Sequence, residues 1–314
     1  MMAANLFQVL QTLLVLLLAP LFAGYLQNAR ALLQNRRPAG ILQPYRDLLR
    51  LFHKESIIAE GTSWLFRATP YLLFAAMWLA AGIVPILATA LPLAPAADVI
   101  ALVGLFALAR VFQVLAAMDT GTAFGTLGAR REMLVAAMAE PALLAALFTA
   151  SLLSHSTSLS SIVDHLESLR FALHPSMVFA AAAFFMVLLA ENARIPVDNP
   201  ATHLELTMIH EAMILEYSGR HLALVEWAAQ IKLLLYVGIG IALFLPWGIA
   251  PAGDLAALPA AAFWLALKLL AAGAVLAVIE TLLAKLRLFR APEFMATAFL
   301  LGVIGLLSYF MLGA

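Results

Sequence analysis

Eight apolar runs alternate with polar stretches along the chain. A helix needs about 20 mostly apolar residues to cross a bilayer, so each run predicts a membrane-spanning helix. None of the runs shows the alternation of apolar and polar residues that is typical of barrel strands. The predicted spans are residues 5–26, 66–92, 97–118, 132–153, 175–193, 223–248, 254–280 and 292–313. The pattern therefore predicts an all-α, polytopic membrane protein in which residues 1–314 form a single transmembrane domain.

The composition supports this interpretation. Hydrophobic residues make up 64% of the chain and charged residues only 11%, whereas soluble domains are about 45–50% apolar and about 25% charged. This excludes a secreted module, a nucleic-acid-binding protein and a cytosolic enzyme. The chain has no Cys, which excludes disulfides, iron–sulfur ligation and thiolate zinc sites within it.

The basic residues indicate an orientation. Fourteen of the 18 Lys and Arg residues lie in or beside the loops 27–65, 119–131, 194–222 and 281–291, and one, Arg170, lies on the opposite side. Basic loops remain in the cytoplasm. We therefore expect these four loops to be cytoplasmic and both termini to lie on the non-cytoplasmic side. The connection 154–174 is expected to be an ordinary external loop.

The first cytoplasmic loop contains an amphipathic segment at 36–55. From Gln43 onward, helical spacing places Tyr45, Leu48, Leu49 and Phe52 on one face and Gln43, Asp47, Arg50 and Lys54 on the other. The pattern predicts a helix of about three turns that lies in the membrane interface or against a partner protein.

The third cytoplasmic loop is long and rich in charge, which is typical of functional or partner-bound loops. Pro196 and Pro200 precede a predicted helix over 202–216. Glu205 and Glu216 share one face of this helix, and His203 and His210 share another. His210 and Glu211 begin a zinc-protease motif, but position 214 is Ile rather than the second His ligand. No metal site is predicted.

Several ionisable residues fall within or at the ends of the predicted spans: Arg110, Glu140, Glu191, Glu226, Lys232, Lys268 and Glu280. A charge in hydrocarbon costs several kcal/mol, so these side chains must face the protein interior, pair with each other or line water. Glu140 directly precedes Pro141, which removes a backbone donor and opens the helix locally. Two interpretations remain open for Glu140, a proton relay or a static ion pair with Arg110 or Lys232.

The loop sequences resemble a known family. Residues 37–44 (RPAGILQP) and the Lys54-Glu55 pair are similar to the first cytoplasmic loop of the complex I membrane subunit that forms the mouth of the quinone chamber. Residues 191–198 (ENARIPVD) and 216–219 (EYSG) are similar to the third cytoplasmic loop of that subunit. The span count, the orientation and the order of the motifs agree over nearly the whole chain.

Other details resemble a branch of that superfamily. Residues 119–121 (DTG), 128–132 (GARRE), the Glu140-Pro141 pair and residues 280–293 are similar to the membrane subunits of energy-converting nickel-iron hydrogenases, of the hydrogenase-4 component C and formate hydrogenlyase subunit 4 type. The resemblance implies a non-catalytic subunit of an oxidoreductase complex in the cell inner membrane.

The resemblance also implies roles for individual residues. The acidic residues of a proton path would be Glu140, Glu191, Glu205, Glu211 and Glu216. The loop motifs and the docking surface would comprise Arg37, Gln43, Pro44, Arg46, Arg50, Lys54, Arg194 and Asp198. Hydrogenase large and small subunits and iron–sulfur proteins would dock on the cytoplasmic face, carrying the nickel-iron centre and the clusters, and antiporter-like subunits would adjoin in the membrane. Ala193 replaces an Asn of the complex I form, which argues against a bound quinone.

Three functions are therefore considered. The chain is expected to anchor and couple a hydrogenase complex without binding a redox group itself. The first alternative is a quinone-binding subunit of a complex I-like NADH dehydrogenase. The second is a free-standing proton or cation transporter, which the large charged loops disfavour.

Overall fold

The computed structural model describes residues 2–89, 92–168, 174–198, 208–251, 256–284, 286 and 290–312. Within these ranges the secondary structure is helical, with only two isolated β-bridges. The helices are α1 (Met2–Leu33), α2 (Gln43–His53), α3 (Trp64–Ile83), α4 (Val99–Asp119), α5 (Ala123–Ser154), α6 (Leu159–Ser168), α7 (Pro175–Glu191), α8 (His210–Ile214), α9 (Gly219–Phe244), α10 (Leu258–Leu282) and α11 (Ala291–Leu312).

Seven of the described helices are long and apolar enough to cross a membrane: α1, α3, α4, α5, α9, α10 and α11. They correspond to seven of the eight predicted spans, so the prediction of an all-α, multi-pass membrane protein is confirmed. The eighth predicted span is α7, an apolar helix of 17 residues, which is about 26 Å long at 1.5 Å per residue.

Helix α7 is short because it ends inside the bundle. Its last residue, Glu191, contacts Arg110, which lies half-way along α4, and Lys232, which lies half-way along α9. Backbone that is not helical is tolerated at such depth only where protein or a water-lined cavity surrounds it. The chain after α7 therefore has to be enclosed by other helices.

Prolines in two spanning helices leave backbone carbonyls that accept hydrogen bonds from side chains elsewhere in the bundle. Pro20 lacks the N–H that would bond the Leu16 carbonyl four residues earlier, and the indole N–H of Trp227 donates to that carbonyl at 3.1 Å. Pro70 likewise leaves the Phe66 carbonyl without its usual donor, and the Tyr217 hydroxyl donates to it at 3.1 Å. The first contact links α9 to α1, and the second links the turn before α9 to α3.

The amphipathic helix α2 folds back along α1. A Cβ at Gly24 of α1 would lie 2.0 Å from the Ile41 carbonyl oxygen, so only glycine permits this close return. Pro44 and Leu48 are buried, whereas Leu49 is 60% exposed. Helix α2 packs against α1 and α9 through one edge of its apolar face, and that this face lies in the membrane interface or against a partner stays a prediction.

Three other boundaries differ from the prediction. The connection 154–174, expected to be a loop, contains α6, whose apolar side is buried. Helix α5 begins at Ala123, inside the predicted loop 119–131, where the Thr122 hydroxyl caps its first turn. Of the helix predicted over 202–216, residues 202–207 lie outside the described residues, and the rest forms the five-residue helix α8 followed by a turn.

Candidate functional site

A single buried guanidinium holds the centre of the site. Arg110, on α4, is only 4% exposed, and its Nη1 lies 2.6 Å from Glu140 Oε1. Its Nη2 donates to Glu191, and its Nε lies 3.5 Å from Glu132 Oε1. Lys232 Nζ donates to the second oxygen of Glu191 at 2.9 Å. Two cations and three carboxylates thus form one buried ion cluster.

Four helices supply this cluster. Glu132 and Glu140 are eight residues apart on α5, so helical spacing places them on one side, facing Arg110 of α4. Glu191 is the last residue of α7, and a helix C-terminus carries partial negative charge, although the carbonyls of residues 188–190 accept backbone N–H groups of residues 192–194. Arg110 and Lys232 lie at that end and offset this charge. The cluster therefore depends on where α7 stops as well as on the side chains.

Glu140 differs from the other two carboxylates in its exposure. Its side chain is 37% exposed, whereas those of Glu132 and Glu191 are 4% and 2% exposed. The structure thus places Glu140 in contact with Arg110, the ion-pair partner considered from the sequence. It also places Glu140 at the outer edge of the cluster.

His210 connects the cluster to the chain that follows α7. Its Nε2 lies 3.5 Å from Glu132 Oε2 and its Nδ1 lies 3.7 Å from Asp198 Oδ2. The backbone N–H of His210 also donates to Asp198 at 3.1 Å, at the start of α8. Burial lowers the pKa of the imidazole, but the carboxylates of Glu132 and Asp198 outweigh it, and the pKa is raised above its ordinary value.

A cavity of about 450 Å³ lies beside the cluster. Arg110, Glu132, Glu191 and Lys232 line its inner part, together with His210. Its other polar lining residues are Gln27, Asp47, Gln113, Asn192, Glu211, Glu226 and Gln230. The volume suits several ordered water molecules or a small ligand. Carboxylates outnumber Lys and Arg side chains around the cavity, so its interior is acidic.

A second ion cluster lies at the end of α10. Glu280 is 1% exposed and pairs with Arg30 of α1 at 2.9 Å and with Arg194 at 3.2 Å. The Arg194 carbonyl in turn accepts the backbone N–H groups of Val197 and Asp198. The segment 194–198 therefore joins the Glu280 cluster to His210.

Lys268 lies apart from both clusters. Its Nζ donates to the Leu245 carbonyl at 2.6 Å and to the Trp247 carbonyl, and it lies 5.0 Å from the centre of the Trp247 ring. These carbonyls follow the end of α9, so Lys268 provides cationic donors at a helix C-terminus. The sequence prediction grouped it with the buried charges, and the structure gives it a capping role.

Half of the eight predicted docking and loop-motif residues lie on the surface. Arg37, Arg46, Arg50 and Lys54 are exposed, and Arg50 lies 3.8 Å from Asp47. Gln43 donates to Asp47 at 2.9 Å, and Pro44 is buried against α1. Asp47, placed on the polar outer face by the sequence, instead lines the cavity.

The remaining predicted acidic residues have different positions. Glu205 lies outside the described residues. Glu211 and Glu226 line the cavity, and Glu216 is half-buried in the turn after α8. Among the residues that the structure describes, no group of three or more His, Asp or Glu side chains is arranged to hold a metal ion.

Sequence reasoning missed Glu132 as a site residue and gave His210 no role. Glu132 was assigned to the edge of a cytoplasmic loop, because α5 was predicted to begin there. Its position two helical turns before Glu140 was the signal that could have identified it.

The model of the family described as NADH dehydrogenase matches residues 6–311. The chain belongs to this family. The chain is 32% identical to formate hydrogenlyase subunit 4 of Escherichia coli K12 over 92% of its length and 93% of the relative. It is also 34% identical to hydrogenase-4 component C of the same organism, over 80% of the chain and 79% of the relative.

More distant NADH dehydrogenase family members include a subunit of the NADH-quinone oxidoreductase from Rubrobacter xylanophilus. It is 29% identical over 66% of the chain and 62% of the relative. The fold is shared with a chain of the membrane-bound sulfane sulfur reductase, described as an archaeal respiratory membrane complex. The TM-score is 0.79 at 20% identity, over 97% of this chain and 99% of the other. The predicted superfamily and its hydrogenase-type branch are confirmed, and this chain is a membrane subunit of the oxidoreductase-complex type.

Proposed function

We propose that this chain is the membrane-anchoring and energy-coupling subunit of a membrane-bound nickel-iron hydrogenase complex. The two Escherichia coli relatives, which are named as parts of formate hydrogenlyase and hydrogenase-4, support the type of complex. One observation carries the coupling role: Arg110 joins Glu132, Glu140 and Glu191 directly beside an acidic cavity. Such complexes belong in the cell inner membrane.

The proposed proton path begins in the cavity and ends at Glu140. Water in the cavity exchanges protons with the carboxylates of the cluster, and Arg110 and Lys232 hold the remaining negative charge in place. Protonation of one carboxylate weakens its pair with Arg110 and frees that guanidinium for the others. Glu140, the most exposed member of the cluster, passes the proton to an antiporter-like subunit that adjoins α5.

The redox chemistry belongs to partner subunits in this proposal. The chain has no Cys, so it offers no thiolate for an iron–sulfur cluster or a nickel-iron centre. Hydrogenase large and small subunits and iron–sulfur proteins would dock on α2 and on the segment around α8. The exposed side chains of Arg46, Arg50 and Lys54 make that surface basic.

A second candidate is a quinone-binding subunit of a complex I-like dehydrogenase. The size of the cavity favours it, since about 300–1,000 Å³ is typical of small-molecule sites. Most of the lining surface is apolar, which also suits such a ligand, but the lining includes carboxylates from five different helices. So many carboxylates around one cavity favour proton transfer over the binding of an apolar ring.

The experiment is to solubilise the membranes gently, purify this chain by a tag and identify its partners by mass spectrometry while hydrogen evolution is assayed. The expected result is a nickel-iron large subunit and hydrogen evolution in the same fraction, and an untagged strain provides the control. A flavin-bearing dehydrogenase module with bound quinone would instead favour the second candidate.

A further inference from the structure

His210 stands between two carboxylates that come from different parts of the chain. Glu132 approaches one ring nitrogen from α5, and Asp198 approaches the other from the segment after α7. Both N···O distances, 3.5 and 3.7 Å, exceed those of hydrogen bonds, which are about 2.7–3.2 Å. The imidazole is thus close to both carboxylates without being bonded to either.

Two polar atoms at these contacts, one on the imidazole and one on a neighbouring carboxylate, lack hydrogen-bond partners among the described residues. They are Nδ1 of His210 and Oε2 of Glu132, and both atoms are buried. An unsatisfied buried oxygen is costly, so a proton or a water molecule is expected there. Both residues line the cavity, which can supply either.

The backbone around His210 is held firmly. Arg131 donates to the Met208 carbonyl at 2.8 Å, and Asp198 accepts the backbone N–H of His210. Gly128 of α5 lies so close to Ile209 and Ala212 that a Cβ would meet them at 2.8 and 2.9 Å. The ring can therefore turn about its own side-chain bonds while its Cα stays in place.

We propose that His210 transfers protons between the cavity and Glu132, and so loads the Arg110 cluster. This inference rests on the proposed coupling function and names the entry to its proton path. A shift of a few tenths of an ångström, or one bridging water, would complete each contact. Catalytic hydrogen bonds are often long before turnover and shorten during it.

The proton balance is simple. A proton from hydronium in the cavity binds Nδ1 beside Asp198, which leaves water and an imidazolium. The imidazolium then gives its other proton from Nε2 to Glu132 Oε2, which leaves a carboxylic acid and a neutral imidazole. Nδ1 then releases its proton to cavity water while Nε2 takes one up from water, which restores the first tautomer with no net change in protons. Neutral Glu132 no longer attracts Arg110. The guanidinium then pairs only with Glu140 and Glu191.

The charges around His210 suit this role. Glu132 and Asp198 favour the imidazolium, as does Glu191 at the end of α7, whereas Lys232 of α9 opposes it. Glu211 lines the same cavity. Burial opposes the imidazolium, but the carboxylates outweigh it and raise the pKa of His210 above its ordinary value, so the ring takes up a proton more readily.

The test uses the intact complex in membrane vesicles, with redox turnover and proton movement measured together. Replacement His210→Gln retains hydrogen bonding but cannot be protonated, and we expect at least a tenfold loss of protons moved per electron with assembly retained. His165→Gln, on α6, is the matched control and should change nothing. In His210→Ala, added imidazole should restore coupling, whereas pyrazole, which has a similar shape but is far less basic, should not.

A second variant distinguishes loss of proton transfer from misfolding of the His210 variants. Glu132→Gln leaves the imidazole in place but removes its acceptor, and it should lose coupling without rescue by imidazole. Normal coupling in His210→Gln or in Glu132→Gln, while Glu140→Gln is uncoupled, would overturn this inference alone. A wild-type complex that moves no protons would overturn the proposed function as well.

Discussion

Arg110 and Glu191 form an ion pair that joins the middle of α4 to the last residue of α7. A helix that stops inside a bundle leaves carbonyl groups and partial negative charge there. Arg110 and Lys232 offset both this partial charge and the charge of the Glu191 carboxylate. The interrupted helix and the ion cluster therefore depend on each other, and the cavity beside them is lined in part by Asn192 and Ala193, which follow the end of α7.

Replacement of Arg110 by Gln should destabilise the protein strongly. Three carboxylates would remain close together with Lys232 as their nearest cation, and the loss of one partner from a buried ion pair costs about 3–5 kcal/mol. Thermal unfolding in detergent would measure the change. Arg67→Gln, at an exposed position on α3, is the control, and an equally small effect of both variants would contradict the prediction.

Replacement of Glu140 by Gln should leave the complex assembled but reduce the number of protons moved per electron. The side chain is partly exposed, so the change in stability should be small, whereas loss of the carboxylate removes the last member of the proposed path. Simultaneous assays of redox turnover and vesicle acidification provide the measurement. Glu60→Gln, an exposed carboxylate outside the cavity, should have no effect. Unchanged coupling in Glu140→Gln would favour a static ion pair.

Reversal of Arg46, Arg50 and Lys54 to Glu should release the soluble arm. These side chains are exposed, whereas the residues that hold α2 in place, Pro44 and Leu48, are buried and unchanged. Co-purification of the soluble subunits with the tagged chain would show the loss. Reversal of Asp164 and Glu167 to Lys on α6 is the control for a general charge effect. If the soluble arm still co-purifies after the α2 reversal, this docking surface is wrong.

The sequence allowed some of these features to be predicted, for physical reasons that differ from residue to residue. Hydropathy identified the spans because length and apolarity suffice for a helix in lipid. The need of buried charges to pair gave Arg110 and Lys232 as alternative ion-pair partners of Glu140, and the structure pairs Glu140 with Arg110. Hydropathy placed the end of α7 within two residues of Glu191, but it could not show that this end lies beside Arg110 and Lys232, because that depends on how the helices pack. Nor could it show that Asp47 faces inward, because a helical wheel contains no information about a polar cavity.

The stability of the α8 region should depend on pH. The pKa of His210 is raised by Glu132 and Asp198 against the effect of burial, from an ordinary value of about 6.5. The imidazolium contacts are therefore fully present below about pH 6.5 and are lost as the pH rises through the folded-state pKa. Histidine-labelled NMR should detect one imidazole that titrates above the ordinary range and is absent in His210→Gln. In Glu132→Gln its pKa should fall, and an unchanged titration there would contradict the assigned cause.

Trp227→Phe should destabilise the protein only when Pro20 is present. The indole N–H satisfies the Leu16 carbonyl, which Pro20 cannot reach with a backbone donor. Its removal leaves a buried acceptor unsatisfied, at a cost of about 1–3 kcal/mol. In a Pro20→Ala background the new backbone N–H at position 20 bonds that carbonyl, so the same Trp227→Phe replacement should cost little beyond the loss of packing.

A double-mutant cycle measured by unfolding in detergent would give this coupling directly. The pair of Tyr217 and Pro70 provides an independent repeat, since the Tyr217 hydroxyl donates to the Phe66 carbonyl in the same way. Tyr217→Phe should be costly with Pro70 and mild with Ala at position 70. Additive effects in both cycles would show that these prolines do not create the acceptors that join Trp227 to α1 and Tyr217 to α3.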